Sequence, residues 1–323
     1  MKKVTVIGGG TGTFVVLSGL KRYPVDLGVI VTMMDSGGST GRLRDQLGVL
    51  PPGDLRQCLV ALSEAPLLWR QLFLYRFESG DFEGHNFGNL FLSVLEKVCS
   101  NYDEVISTVS FVLKTKGKVI PVTFANTSLC VQYKNGKIIK GENNIEENIH
   151  ETSLVEKAFL DPSVKPNRQA IERIKESDIL IIGPGDLYTS IIPVLLVEEI
   201  KKTIDLAKAK IVFIMNLMTK SGQTNHYNAS DHLHDLKKYL GRQPDSIIVN
   251  SGKISWEILQ WYKEYNENVV KNDLLKAGFK GEIIAEDLVD IHRFEKKTAD
   301  KLTRSILRHE SMKLAKTLKP YLL

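Results

Sequence analysis

Apolar and β-branched residues in this chain fall into short unbroken runs that stop at glycine or an acid. Val4 to Ile7 end at Gly8, "LGVIVTMM" ends at Asp35, "SDILII" at Gly183, "AKIVFIM" at Asn216 and "DSIIV" at Asn250. Runs of this length with no polar alternation suit strands buried on both faces, as in a parallel sheet. Between them lie stretches with helical spacing: "FVVLSGLKRY", "DLRQCLVALSEA", "NLFLSVLEKVC" and "VLLVEEIKKTIDLAK". Strand and helix therefore alternate, and the expected fold class is α/β, with a Rossmann-like, mainly parallel sheet.

One stretch breaks the rhythm. Within "SLCVQYKNGKIIKGEN" two strand-like runs flank Asn135-Gly136, a dipeptide that favours a type I′ turn, so a β-hairpin is expected there. The expected layout is a single α/β domain over 1–323, with a first half at 1–120, the hairpin insertion at 121–151, a second half at 152–252 and a helix-rich part at 253–323. A closing helix is expected over about 296–319.

Composition narrows the function classes. The 323 residues are 43% hydrophobic and 25% charged, ordinary for a globular chain, and the formal net charge of +5 comes without a basic block. A nucleic-acid partner is not expected. Three scattered cysteines, Cys58, Cys99 and Cys130, give neither a disulfide framework nor a zinc spacing. No apolar run approaches the ~18 residues of a membrane helix, and the N-terminus lacks a secretory apolar region, so a cytoplasmic location is expected.

The chemistry sits at the strand ends. In "IGGGTG", Gly9, Gly10, Thr11 and Gly12 bridge a strand and a helix, where bare backbone amides and the helix dipole favour phosphate. Thr13 stands where the dinucleotide fingerprint requires a third glycine, which weakens an NAD reading. Asp35 ends the second strand, followed by the donors Ser36, Gly37, Gly38, Ser39 and Thr40, with Arg42 and Arg44 as expected charge partners. A flexible solvent loop would have a similar composition. Asp54 is placed to cap the next helix, and Arg56 lies near its positive end, where a cation needs an anionic partner. Asn89, after His85 and Asn86, is a polar candidate before an apolar helix. In "IIGPGDLYTSIIP", Gly183 and Gly185 offer amides and Tyr188, Thr189 and Ser190 offer hydroxyls, while Asn216 ends a fourth strand. Ligands of open α/β sheets collect at such strand ends, so these loops are expected to share one crevice. His232 and His234, two apart on a helix, face different ways, and no metal site is assigned.

Taken in order, "GGGTG", "DSGGSTGRLR", "PPGDLRQCL", "GHNFGNL", "GPGDLYTSIIP" and "MNLMTKSGQT" resemble the gluconeogenesis-factor (YvcK-like) family, related in fold to the 2-phospho-lactate transferase of deazaflavin coenzyme biosynthesis. The resemblance implies a cytoplasmic regulatory protein that binds uridine-diphosphate sugars, the N-acetylglucosamine form above all. It further implies a role in cell shape and wall synthesis during gluconeogenic growth, with wall-synthesis proteins as partners. No cofactor is then required; a homodimer is an open expectation from size. The family's binding residues carry onto the three glycine segments, and Tyr262 and Arg293 look like its nucleotide-sugar tyrosine and arginine. The alternative the resemblance carries is a magnesium-dependent transferase in which Asp35 holds the ion. Met34 stands where many relatives have a second acid, which lowers that expectation, because paired carboxylates are a common way to hold magnesium. Asp186 and Lys220 also depart from the family pattern, the first adding an anion beside a phosphate loop and the second a cation.

Overall fold

A computed structural model describes residues 1–290 and 305–323. Ten strands are formed: β1 (Lys3–Gly8), β2 (Asp26–Val31), β3 (Lys118–Pro121), β4 (Ser128–Tyr133), β5 (Ile138–Lys140), β6 (Val155–Asp161), β7 (Ile179–Ile182), β8 (Lys210–Ile214), β9 (Ser246–Asn250) and β10 (Glu282–Glu286). Seven make one sheet in the order β10-β9-β8-β7-β1-β2-β3, and all of its pairings are parallel. The unbroken apolar runs are the reason. Val4, Val6, Ile7, Leu180, Ile181, Ile182, Val212 and Phe213 are fully buried beneath helices on both faces. Each such side chain contributes about 1.5–3 kcal/mol by leaving water.

The strand order reverses between β1 and β7: the chain runs outward from β1 to β3, then returns to β7 and runs the other way. A crevice opens beyond the strand ends at such a reversal, and here the loops after β1 and β7 meet. At the opposite edge of these strands the buried Arg173 holds the sheet's lower end. It donates to Thr5 Oγ1 at 2.8 Å, Asp26 Oδ1 at 2.9 Å and the Val4 carbonyl at 3.1 Å.

Three expectations are corrected. The hairpin is present, but β4 also pairs antiparallel with β6, so the insertion is a three-stranded sheet β5-β4-β6 rather than a lone hairpin. A lone two-stranded ribbon has little independent stability, and β6 supplies the missing partner. Its turn has positive φ at Gly136 but not at Asn135, which excludes type I′; the Asn135 side chain instead accepts the Lys137 N–H at 3.0 Å. The long helix expected from Val194 is broken into a π-helical turn Leu187–Ile191, a short helix Ile192–Leu195 and a helix Ile200–Leu206, with Glu199 at φ +65° between the last two. The closing helix runs Ser311–Leu322; the expected part before residue 305 lies outside the described residues.

That closing helix packs on the first one, Gly10–Leu20, where an added Cβ on Gly19 would lie 2.5 Å from the Ser311 carbonyl. Leu217, Met218, Tyr262, Val289, Ile306 and Leu307 form a second, smaller apolar cluster above the sheet's strand ends. It roofs the crevice. Among the described residues no helix is long and apolar enough to cross a membrane.

Candidate functional site

The helix Gly10–Leu20 starts from Gly9 with no side-chain cap, so its first amides are left for other partners. Close packing explains the glycines. A Cβ on Gly12 would stand 2.2 Å from the Pro184 carbonyl oxygen, and one on Gly9 would stand 2.3 Å from Asp54 Oδ2. The loops after β1 and β7 are therefore in backbone contact. Asp54 does not cap its helix as expected: it is the second residue of Gly53–Leu62, and its Oδ1 accepts the Gly10 N–H at 2.9 Å.

After β2, Asp35 folds back to accept the Gly37 N–H at 2.9 Å, and the helix Gly38–Leu47 begins at Gly37, again without a side-chain cap. Ser36 turns toward the insertion: its N–H donates to Glu142 Oε2 at 3.1 Å and its hydroxyl accepts the Asn143 N–H at 2.9 Å. Ser39 Oγ lies 3.2 Å from His85 Nδ1 and accepts the Asn86 N–H. Arg56 is buried, donating to Asn89 Oδ1 at 2.7 Å and to the Phe73 carbonyl at 3.1 Å. Thr11, Asp35, Gly37, Ser39, Arg56 and Asn89 all line the crevice.

Arg42 and Arg44 do not. The helix carries both outward, Arg42 onto the Glu83 carbonyl and Arg44 onto neighbouring Asp45. The expectation that they serve as charge partners is revised, since it is Gly41, not Arg42, that faces the loop, its missing Cβ leaving room for the Ser36 carbonyl. Gly38 and Ser36 likewise fall outside the lining. The cations that do line it are Arg56, Arg76, Lys220 and Arg308.

From the loop after β7, Gly185, Asp186 and Ser190 reach the crevice, and Gly183 stands just behind at φ +70°. Tyr188 points inward instead, and its hydroxyl donates to the buried Asp235 carboxylate. Thr189 donates to Glu146 Oε1 at 3.3 Å. Asp186, the anion beside the expected phosphate loop, acts electrostatically on Lys220. Burial opposes charge on Lys220, yet Asp186, Glu267 and Glu146 outweigh it and hold the ammonium above its usual range. Glu267, 3.8 Å from Lys220, is itself pushed up to about 7, chiefly by burial, with Asp186 adding to it and Lys220 opposing.

Residues absent from the sequence reading complete the walls, Glu142, Glu146, Arg308 and His309 among them. Glu142 and Glu146 come from the helix Glu142–Glu147, spaced four apart and hence on one side of it. Burial, then Glu146 and Asp35, push the Glu142 carboxyl well above its usual range. Arg308 and His309 come from the segment before the closing helix. The Glu pair carried a sequence signal in its spacing; Arg308 and His309 carried none. Tyr262 is also in the lining, fully buried, with its hydroxyl accepting the Leu307 N–H at 3.1 Å. Arg293 lies outside the described residues.

The arrangement brings helix N-terminal amides and cations that suit an anion into one crevice with the polar groups Asn216, Tyr262, Glu267 and His309. Among the described residues no three His, Cys, Asp or Glu side chains are grouped so as to hold a metal ion. Asp35, Asp54 and Glu142 each already accept a backbone N–H.

Comparison with known proteins matches the chain and its fold over nearly the whole length. The family model described as 2-phospho-L-lactate transferase CofD matches residues 4–289. The chain is 38% identical over 320 residues to the gluconeogenesis factor of Bacillus subtilis, covering 98% of this chain and 96% of that one. It is 40% identical over 311 residues to the gluconeogenesis factor of Halalkalibacterium halodurans, covering 95% and 96%. A crystal structure of a UPF0052-family protein, BH3568 from Bacillus halodurans, superposes with a TM-score of 0.88 at 37% identity, covering 98% of this chain and 99% of the other.

Proposed function

The chain belongs to the CofD family, among relatives named gluconeogenesis factor, and from that premise we propose that it is a nucleotide-sugar-binding regulatory protein whose crevice takes UDP-N-acetylglucosamine or a close analogue. One observation carries the reading. Two helix N-termini, at Gly10 and Gly38, have no side-chain cap from their own N-cap residue, only the Gly10 amide being taken by Asp54, and begin at a crevice that also holds Arg56, Arg76, Lys220 and Arg308. Backbone amides and guanidinium groups in that arrangement match the oxygens of a diphosphate. Tyr262 and Asn216, in the same lining, are suited to the nucleoside or sugar.

In this reading the protein acts in the cytoplasm on wall-synthesis proteins, and ligand occupancy reports the supply of nucleotide sugar during gluconeogenic growth. Turnover is not required of it. Binding is tested by titration calorimetry of the purified chain with UDP-N-acetylglucosamine, UDP and GDP. Micromolar affinity for the uridine sugar supports the reading, and no heat with any of them sinks it.

A second reading has its own observation: Asp35, Asp54, Glu142 and Glu146 bring four carboxyl groups to the same crevice. Three of them lie outside the segment in which Met34 replaces an acid, so Met34 alone does not argue against transferase chemistry. In this second reading magnesium would arrive with the diphosphate. Product formation from a nucleoside-diphosphate-linked donor, dependent on Asp35, would replace the regulatory reading with this one.

A further inference from the structure

Lys220 and Glu267 stand opposite one another in a short antiparallel pairing. Met218 and Val269 form its bridge, the Thr219 N–H donates to the Asn268 carbonyl at 2.7 Å, and the Asn268 N–H returns a bond to Thr219 Oγ1 at 2.8 Å. Side chains two positions apart on an extended segment share a face, so Lys220 is set against Glu267 as Met218 is against Val269. Both line the crevice.

The pairing brings the two charges together without joining them. Lys220 Nζ lies 3.8 Å from Glu267 Oε1, too far for a hydrogen bond, although only 13% and 8% of the two side chains are exposed. Glu267 Oε1 instead accepts the Ser221 N–H at 3.3 Å. Among the described residues the Lys220 ammonium donates no hydrogen bond, and an ammonium withdrawn from water needs acceptors as well as counter-charge. The counter-charge is present: Asp186, from the loop after β7, and Glu146, from the insertion's helix, add to that of Glu267. Tyr262, Arg308 and His309 complete the titratable and charged groups on this side of the lining.

Glu267 is finely balanced between acid and anion. Burial and Asp186 favour the acid, Lys220 and the Ser221 N–H favour the anion, and the two sides meet at about 7. Any anion that engages Lys220 cancels its help and adds negative charge beside a buried carboxyl group, which tips the balance to the acid.

Resting on the nucleotide reading of the crevice, we propose that a ligand phosphate takes Lys220 over from Glu267, and that Glu267 binds a proton from solvent as it is released. The ammonium N–H groups then donate to phosphate oxygens, and the proton goes to a Glu267 carboxyl oxygen. Admission of the diphosphate is thus accompanied by loss of one negative charge from the wall. Lys220 is a ligand contact, and Glu267 couples occupancy of the crevice to pH.

Calorimetry with UDP-N-acetylglucosamine in buffers of different ionisation enthalpy counts the protons, because the diphosphate diester of that sugar does not itself titrate between pH 6 and pH 8. Uptake is expected to approach one proton per ligand at pH 8 and to fall close to none at pH 6, where Glu267 already carries it. Kd is then expected to rise by up to about ten-fold from pH 6 to pH 8. Glu267→Gln, which keeps an acceptor for the Ser221 N–H, is expected to abolish the uptake and to bind at pH 8 about as tightly as the wild type binds at pH 6. Lys220→Met is expected to abolish the uptake and raise Kd about ten-fold at pH 6, since charge-assisted bonds to phosphate are lost. The wild-type arm needs no variant to fold. Binding with equal affinity at both pH values and no buffer-dependent heat overturns the exchange and leaves the nucleotide reading intact. Uptake that survives either substitution belongs to another group, such as Glu142, and overturns it as well. No binding at either pH overturns the nucleotide reading together with the exchange.

Discussion

The Asp54 carboxylate accepts the Gly10 N–H at 2.9 Å, so the first amide of the glycine-loop helix is satisfied by the protein itself. A phosphate at this helix must use the following amides, and it must do so beside the Asp54 carboxyl group.

Asp54→Asn keeps the shape and an acceptor but removes that charge. Diphosphate affinity is expected to rise about three- to ten-fold, as a like-charge repulsion is relieved in a partly desolvated crevice. The loss of a charge-assisted bond is expected to cost about 1 kcal/mol of stability. Calorimetry with UDP and thermal unfolding of the free protein check the two halves separately. A fall in affinity would mean that Asp54 orients the loop more than it repels the ligand.

Gly12→Ala places a methyl group 2.2 Å from the Pro184 carbonyl. Backbone on both sides leaves no flexible atom to yield, so the loops after β1 and β7 must separate. An expected cost of about 1–3 kcal/mol should appear in denaturant titration, accompanied by loss of nucleotide binding.

The two arginine positions are opposed. Arg56→Ala should weaken diphosphate binding by about ten-fold or more, since charge-assisted bonds to phosphate are the strong ones. It should also lower the melting temperature, because Asn89 Oδ1 and the Phe73 carbonyl lose a donor. Arg42→Ala, on the exposed side of its helix, should change affinity by less than about two-fold. Equal effects in side-by-side titrations would put the phosphate outside the crevice described.

Glu142 has a folded-state pKa above its unfolded one, so the folded protein holds its proton to higher pH. Stability from this group is therefore lost as pH rises from about 4.5 through the folded pKa, and stays lost above it. Glu142→Gln should melt with the wild type near pH 4 and several degrees above it near pH 8. Parallel melting curves at both pH values would show that Glu142 ionises without penalty.

Much of the fold was legible because a strand buried on both faces has no polar alternation to disguise it, and the runs ending at Gly8, Asp35 and Gly183 marked the strands that border the crevice. The glycines were legible as donors, though their other cause, the contact of Gly12 with Pro184, needs the third dimension. Charge was the part that misled. Arg42 and Arg44 are adjacent to the loop in sequence, but a helix starting at Gly38 turns them outward, and Arg56 approaches from another helix. Glu142 and Glu146 lie about a hundred positions from Asp35, brought back by an insertion whose docking no local pattern specifies. The break at Glu199 was hidden for a similar reason: the residues around it keep helical spacing while packing dictates a positive φ.

The crevice is walled by residues from both ends of the chain, with Gly9 to Gly12 on one side and Arg308 and His309 on the other. During synthesis the glycine loop leaves the ribosome before most of the sheet, and its opposite wall emerges only after the sheet's last strand. A nascent chain thus has the glycine loop long before it has the crevice around it. Nucleotide in the surrounding solution would then stabilise finished molecules selectively and leave incomplete ones to the cell's proteases.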